Sequence, residues 1–222
     1  VSGFHLVPHS IHEAIFKKKI AQIRSWKEGN PQIFIHAEMG SFQNTEIMLN
    51  LLQQLPIESV GLNEDELAKA WNLSPGWHGA MEAIMHLRDD LGLSRVAVHT
   101  RDYILSVMKD LIAPEDEVRA LTRGADAAAA LAASGSIDGQ RPIEVNPAGL
   151  MARDEFCMAG ATSSGRGAYL DSDGVIVSLV PSLLAREPKF TVGLGDTATA
   201  AAFYEELLAI KRSLLSDASI RQ

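Results

Sequence analysis

The segment TVGLGDTATAAAFYEEL (residues 191–207) places two glycines and an aspartate directly before a run of helix-forming residues. One interpretation is an ordinary strand-to-helix turn, with Asp196 or Thr197 as the N-cap of the helix. The other is an anion-binding turn, because backbone amides at a helix N-terminus attract phosphate and glycines let the backbone approach it closely. In the second case Asp196 lies within reach of a substrate hydroxyl and takes its proton.

The same turn also fits the dinucleotide-binding pattern G-x-G-x-x-A, which would end at Ala198. That fingerprint requires a following strand with an acidic residue about 20 positions further on. Here only a helix and a polar tail follow the turn. The sequence therefore argues against a dinucleotide site at this position.

Working outward from this segment, the apolar spacing predicts strands and helices in alternation. Strands are predicted over residues 1–7, 32–38, 57–63, 94–100, 142–146, 155–161 and 174–182. Helices are predicted over residues 10–27, 44–55, 64–71, 77–91, 114–133 and 197–215, the last with Ala200, Phe203, Leu207, Ile210 and Leu214 on its apolar face. This pattern indicates an α/β fold with a mainly parallel sheet, helices on both faces and antiparallel strands at one edge. We expect one domain over residues 1–222.

The composition limits the possible partners. The 222 residues are 46% hydrophobic and 22% charged, which suits a globular protein with a substantial core. The formal net charge of −8 argues against nucleic acid or an anionic membrane as the main partner, since both attract basic surfaces. Cys157 is the only cysteine, so no internal disulfide can form and a reducing, cytoplasmic location fits.

Polar residues follow three of the predicted strands. In parallel sheets, ligands bind beyond the carboxyl ends of the strands. His36 and Glu38 end one strand and share one face, because residues two apart in a strand point the same way. Asn63 and Glu66 follow the next strand, where they also fit a helix capping box, and His99 ends a third. Each pattern is weak alone, but their position at one sheet edge predicts a functional site.

Four other motifs indicate structure rather than chemistry. GATSSGRG (residues 160–167) has P-loop spacing but lacks the final Lys-Ser/Thr, so a mobile loop is expected. His9 and His12 have metal-ligand spacing without a third ligand nearby. Residues 171–174, Asp-Ser-Asp-Gly, predict a hairpin turn, and Cys157 is expected to be inert core within a strand.

Taken together, five short segments resemble the ADP-dependent sugar kinases, the glucokinase and phosphofructokinase group of the ribokinase-like superfamily. They are VSGFHL (1–6), HAE (36–38), SVGLNEDEL (59–67), VAVHT (96–100) and TVGLGDT (191–197), in the family's order. The resemblance implies a ribokinase-like three-layer sandwich and the transfer of a phosphoryl group from ADP to glucose or fructose 6-phosphate. An ATP-dependent ribokinase relative and a non-catalytic sugar- or nucleotide-binding module are the alternatives.

The resemblance also implies roles for residues of the glycine turn. Asp196 is similar to the family's catalytic base, and Gly193, Leu194 and Gly195 to its anion hole. The family more usually continues with Thr-Ile-Ser, where this chain has Thr197-Ala198-Thr199. That departure alters the first turn of the helix but leaves the glycines and the aspartate in place.

The remaining roles concern cofactors and the rest of the protein. Glu38 and Glu66, together with Asp196, are implied to hold Mg²⁺, partly through water. His99, Asn63, Val180 and Gly195 are implied to bind the nucleotide. Family members are much longer than 222 residues, so we expect this chain to be the C-terminal part of the large nucleotide-binding domain of a longer protein. The N-terminal half of that protein would supply the lid and most sugar contacts.

Overall fold

The computed structural model describes residues 1–71, 76–109, 111–137 and 143–220, with side chains described as far as residue 212. Within it the chain divides into two compact units, Val1–Val98 and His99–Gln222. Each unit is described separately below, and the expectation of one domain stays a prediction.

Unit 1 alternates strands and helices as the sequence predicts. Its elements are α1 (His12–Gly29), β1 (His36–Glu38), α2 (Thr45–Gln54), β2 (Ser59–Asn63), α3 (Glu64–Ala70), α4 (Gly76–Leu91) and β3 (Arg95–His99). The strand order is β1-β2-β3, and β1 pairs with β2 in parallel, with His36 opposite Ser59. The apolar residues of β2 and β3 are almost fully buried, which is typical of strands covered on both faces.

Unit 2 contains most of the antiparallel strands. Its elements are β4 (Tyr103–Lys109), α5 (Pro114–Ser134), β5 (Ile143–Val145), α6 (Pro147–Met158), β6 (Thr162–Ser164), β7 (Gly167–Ser172), β8 (Val175–Pro181), β9 (Leu183–Ala185) and α7 (Leu194–Ile220). The strand order is β4-β8-β7-β6, with antiparallel pairing throughout, and β5 pairs with β9. The expected α/β class with added antiparallel strands is confirmed.

The first predicted strand is wrong. Residues 1–7 form a single 3₁₀ turn, Phe4–Leu6, after Gly3 takes a left-handed backbone angle of 85°. Val1 hydrogen-bonds to β1, where its carbonyl accepts a hydrogen bond of 2.9 Å from the Glu38 amide. The apolar residues of this segment serve packing instead, with the Phe4 ring edge-on against Phe16 of α1.

The strand predicted over residues 155–161 is also wrong, because residues 155–158 form the end of helix α6 and residues 159–161 are the turn after it. Asn146 caps that helix by accepting a hydrogen bond of 3.0 Å from the Ala148 amide, and Pro147 occupies the first helical position. Phe156 is fully buried, and Cys157 is partly exposed on the helix rather than enclosed in a strand.

Two turns connect the antiparallel strands of unit 2. GATSSGRG forms the β6–β7 hairpin, with Gly165 at a left-handed angle of 54°, rather than the expected mobile loop. The turn predicted over residues 171–174 is confirmed between β7 and β8, where Asp173 and Gly174 have φ of 52° and 76°. This pair of positive angles suits the right-handed twist of a tight hairpin.

Helix α7 packs closely on α5 through small residues, and only part of its predicted apolar face is buried. Phe203 is half-buried and Ile210 packs against a buried apolar cluster, whereas the side chain of Leu214 lies outside the described residues. The buried side chains of α7 include Ala198, Ala202 and Ala209, whereas Ala200 is exposed and Leu207 is 38% exposed. On α5, Gly124 lies so near α7 that an added Cβ would stand 2.5 Å from the Ala198 carbonyl oxygen. The buried face is therefore set by close helix approach and not by the largest apolar residues.

Candidate functional site

The glycine turn forms the N-terminus of α7. The helix begins at Leu194, and Gly193 precedes it with φ of 75°, an angle that glycine adopts without strain. The amide and hydroxyl of Thr197 both donate to the Gly193 carbonyl, at 3.0 Å and 2.8 Å. Gly193 is therefore the N-cap, and the interpretation of Asp196 or Thr197 as the cap is wrong.

This geometry leaves a set of backbone donors at the turn. The first amides of a helix have no carbonyl partner within it, so those of Leu194, Gly195 and Asp196 point away from the helix. They coincide with the positive end of the helix dipole. The Asp196 side chain lies in the same first turn and is exposed. The arrangement suits an anion that carries a reacting group beside a carboxylate.

His99 lies directly against the turn. A side chain on Gly195 would overlap the imidazole of His99, so only glycine allows this approach. The two residues line a cleft of about 230 Å³. Its other walls come from α5, from the β8–β9 region and from the start of α7, and they include Ala125, Ala128, Ala129, Ala132, Leu183 and Leu194. Small residues on one wall and an imidazole on another suit a flat ring.

A second cleft in unit 2 contains the predicted base. Asp196 and Thr197 line a space of about 530 Å³ together with Arg123, Tyr204 and Glu205. Gly195 faces the first cleft and Asp196 faces the second. The start of α7 thus lies between two clefts. A group that is transferred between two bound substrates would have to lie at such a position.

Val180 lies behind the first cleft. It belongs to β8 and is fully buried in an apolar cluster with Ile104, Ala125 and Ala198. Its side chain supports the wall that carries the cleft, and direct contact with a nucleotide remains a prediction.

In unit 1, the end of β1 brings His36 and Glu38 onto one face, as the strand period predicts. The Nδ1 atom of His36 lies 2.8 Å from the Ser59 hydroxyl, and its Nε2 lies 3.5 Å from Glu38 Oε2. Both side chains occupy space that a Cβ on Gly61 would fill. Burial lowers the pKa of His36, so the imidazole is neutral at physiological pH. No local sequence pattern identifies Ser59 or Gly61 as partners of this pair.

Asn63 and Glu66 form a capping box at the start of α3. The Glu66 amide donates to the Asn63 side chain at 2.9 Å, and the Asn63 amide donates back to the Glu66 carboxylate at 3.0 Å. The Asn63 side-chain nitrogen also donates to Glu66, at 2.5 Å. Asn63 thus has a complete structural role, and its proposed contact with nucleotide remains a prediction.

Glu66 is more than a cap, because its carboxylate is buried near a second one. Burial raises the pKa of Glu66 to about 7, the Asn63 backbone hydrogen bond opposes this rise, and the charge of Glu38 adds to it. Two buried carboxylates that repel each other are a setting in which a divalent cation lowers the electrostatic free energy.

The donor set at Glu38 and Glu66 fits Mg²⁺ bound largely through water. Magnesium usually keeps several waters and takes only one or two protein carboxylates. Across the described part of the chain, three or more His, Cys, Asp or Glu side chains are nowhere arranged as metal ligands. The site therefore suits a hydrated ion better than a closed cage of protein ligands. The place of Asp196 in the metal site remains a prediction.

None of the helices in the described ranges combines the length and apolarity that crossing a membrane requires.

The chain is similar to known proteins over most of its length. Residues 1–205 match the family model described as the ADP-specific phosphofructokinase/glucokinase conserved region. The ADP-specific phosphofructokinase of Methanosarcina acetivorans is 26% identical, over 96% of this chain and 50% of that protein. The ADP-dependent glucokinase of Bos taurus is 27% identical, over 93% of this chain and 47% of that protein.

A solved structure shows a similar fold. An ADP-dependent kinase in complex with fructose-6-phosphate and ADPβS superposes with a TM-score of 0.78 at 26% identity, over 95% of this chain and 53% of that one. The expected ribokinase-like α/β fold is confirmed by this likeness. The chain spans about half the length of the curated relatives that it matches.

Proposed function

We propose that this chain, which belongs to the ADP-specific phosphofructokinase/glucokinase family, carries the phosphoryl-transfer centre of an ADP-dependent sugar kinase. ADP would phosphorylate a hexose or hexose phosphate, glucose or fructose 6-phosphate, and AMP would leave. The observation that carries the proposal is the start of α7, where helix amides and the exposed Asp196 carboxylate share one turn.

The proposed reaction requires little covalent chemistry from the protein. The acceptor hydroxyl oxygen forms a bond to the β-phosphorus of ADP, and the bond from that phosphorus to the bridging oxygen breaks. Asp196 takes the hydroxyl proton, and AMP leaves with the bridging oxygen. The amides of Gly193, Leu194 and Gly195 stabilise the charge on the transferred group, since phosphoryl transfer depends mainly on positioning and electrostatics.

The nucleotide is proposed to bind in the cleft beside His99. Its small-residue wall and the imidazole can enclose an adenine ring, while Gly195 brings the phosphates to the amides of α7. Asn63 and Val180 belong to the same proposal as nucleotide-binding residues, and Val180 lies in the wall behind the cleft.

Mg²⁺ is proposed as the cofactor, with Glu38 and Glu66 holding it through water and Asp196 included in its surroundings. When bound, the ion neutralises phosphate charge. Glu38 and Glu66 suit a cation because their two carboxylates are buried and repel each other. His36 supports this by packing against Glu38 and bonding Ser59.

The other half of a longer protein is proposed to complete the site with a lid and most sugar contacts. The relatives are about twice the length of this chain, because it covers 50% and 47% of two of them. Which sugar is phosphorylated is then decided largely outside these 222 residues. A cytoplasmic location belongs to the same proposal.

The test is an assay of the full-length protein with ADP, and separately with ATP, against glucose and fructose 6-phosphate. Formation of AMP and a sugar phosphate with ADP is the expected result. Turnover only with ATP would place the protein with the ATP-dependent ribokinase relatives. Nucleotide or sugar binding without turnover would favour a binding module and contradict the proposal.

A further inference from the structure

We infer that Gly124 of α5 is a positioning residue for the turn at the start of α7. The inference goes beyond the proposed function, and only its effect on rate rests on that function. It starts from the close approach of α5 and α7 and from a second contact between α5 and the segment before α7.

The first contact lies within the first turns of α7. A Cβ on Gly124 would stand 2.5 Å from the Ala198 carbonyl oxygen and 3.2 Å from the Ala202 Cβ. Ordinary contacts of this kind begin near 3.4 Å, so any side chain requires α7 to move by roughly 1 Å. Ala198 follows Asp196 by two residues in the same rigid helix. A shift of Ala198 therefore carries the turn with it.

The second contact lies at the other end of α5. The amides of Lys189 and Phe190 both donate to the Ala132 carbonyl, at 2.7 Å and 3.2 Å. Gly135 ends α5 with φ of 81°, and a side chain there would overlap the Phe190 ring. The segment that leads into the glycine turn is thus attached to the C-terminus of α5.

These contacts fix the glycine turn from both sides. Segment 189–190 is held before the turn, and Ala198 is held after it, both by one helix. The backbone donors at the start of α7 then take their position from α5 rather than from the turn alone. Since a misplacement of about 1 Å at a reacting centre lowers rates by about 10²-fold, the absence of a side chain at Gly124 matters for chemistry.

The test compares Gly124→Ala with Gly29→Ala in the full-length protein. Both glycines are helical, but a Cβ on Gly29 meets nothing within 4 Å. For Gly124→Ala we expect kcat to fall about 10–100-fold with KM for ADP within a few-fold. A crystal structure should show residues 193–196 displaced by at least about 0.5 Å from β4 and β8, as part of the shift of roughly 1 Å that the contact requires. Gly29→Ala should match the wild type in both measurements.

A purely structural role for Gly124 would give a different result. It predicts a lower melting temperature with normal kcat per folded molecule and no displacement of residues 193–196. Normal kcat with an unmoved turn would overturn the inference, whether or not the melting temperature falls.

The inference can still be tested if the variant does not fold or if the wild-type protein shows no turnover. If Gly124→Ala does not fold, Ala202→Ser adds one atom at the same contact and faces the same expected and contradictory results. If the wild-type protein shows no turnover, the proposed function fails. The crystallographic displacement still decides whether Gly124 positions the turn.

Discussion

Replacing Glu66 by glutamine separates the charge of this residue from its role as a helix cap. Glutamine also serves at the third helical position of a capping box, so it can still accept the hydrogen bond from the Asn63 amide. The substitution removes the buried negative charge and leaves the shape of the side chain nearly unchanged. Glutamine loses the second acceptor oxygen, which binds the Asn63 side-chain nitrogen. The pH dependence of stability, rather than stability at one pH, therefore measures how much the buried charge destabilises the fold.

The size of this effect follows from the pKa of Glu66, which rises from 4.5 to about 7 in the folded protein. The folded state holds the proton more tightly than the unfolded state. The stabilisation from this group is thus fully present below pH 4.5 and is lost as pH rises towards 7. At about 1.4 kcal/mol per pKa unit the full loss is roughly 3 kcal/mol, of which about 2 kcal/mol falls between pH 5 and pH 8 because part of it is already lost at pH 5.

The assay is chemical denaturation of the full-length protein at pH 5 and pH 8 without added metal. The wild type should lose about 2 kcal/mol more unfolding free energy over this range than Glu66→Gln does. Glu64→Gln is the matched control, because Glu64 is exposed in the first turn of the same helix. Its pH dependence should follow the wild type. Equal pH dependence in the wild type and Glu66→Gln would refute the assignment of a raised pKa to Glu66.

Two other predictions concern the metal and the start of α6. Glu66→Gln should raise the magnesium concentration needed for half-maximal activity more than it changes the sugar KM, and an unchanged magnesium titration would remove Glu66 from the proposed site. Asn146→Ala should lower the unfolding free energy by about 1–3 kcal/mol, because Asn146 caps α6 and also donates to Arg101 and Asp102. Asn146→Asp keeps the cap but loses those donors. Chemical denaturation measures the stability of both variants. Wild-type stability of Asn146→Asp would limit the role of Asn146 to capping.

The sequence predicts most helices and the central strands, because apolar periodicity follows burial directly. The prediction fails where an apolar segment is too short to distinguish a strand from part of a helix. Residues 155–161 look like a strand, but residues 155–158 are the end of a helix that begins at the Asn146-Pro147 start signal. Strand β4 went unpredicted although Tyr103–Lys109 is a buried apolar run. Its partner β8 is about 70 residues away, and no local pattern records that pairing.

For the candidate site, the sequence indicates residue types but not their geometry. The glycines and Asp196 could be assigned to the start of a helix, yet the position of the cap depended on the left-handed backbone of Gly193. Ser59 and Gly61 contact the His36–Glu38 pair only because β1 and β2 are neighbours. Gly124 gave no signal at all, since its importance comes from the approach of α7. Contacts across elements determine these roles, and local sequence does not encode them.

The central claim is that Asp196 at the start of α7 accepts the proton of the sugar hydroxyl, and kcat of Asp196→Asn in the full-length protein tests it most directly. Asp196 is the third residue of the helix and not its cap, so asparagine should change the melting temperature little. A positioned general base contributes about 10²–10⁴-fold, so kcat should fall at least about a hundredfold while nucleotide affinity stays within a few-fold. A well-folded Asp196→Asn protein with wild-type kcat would contradict the account.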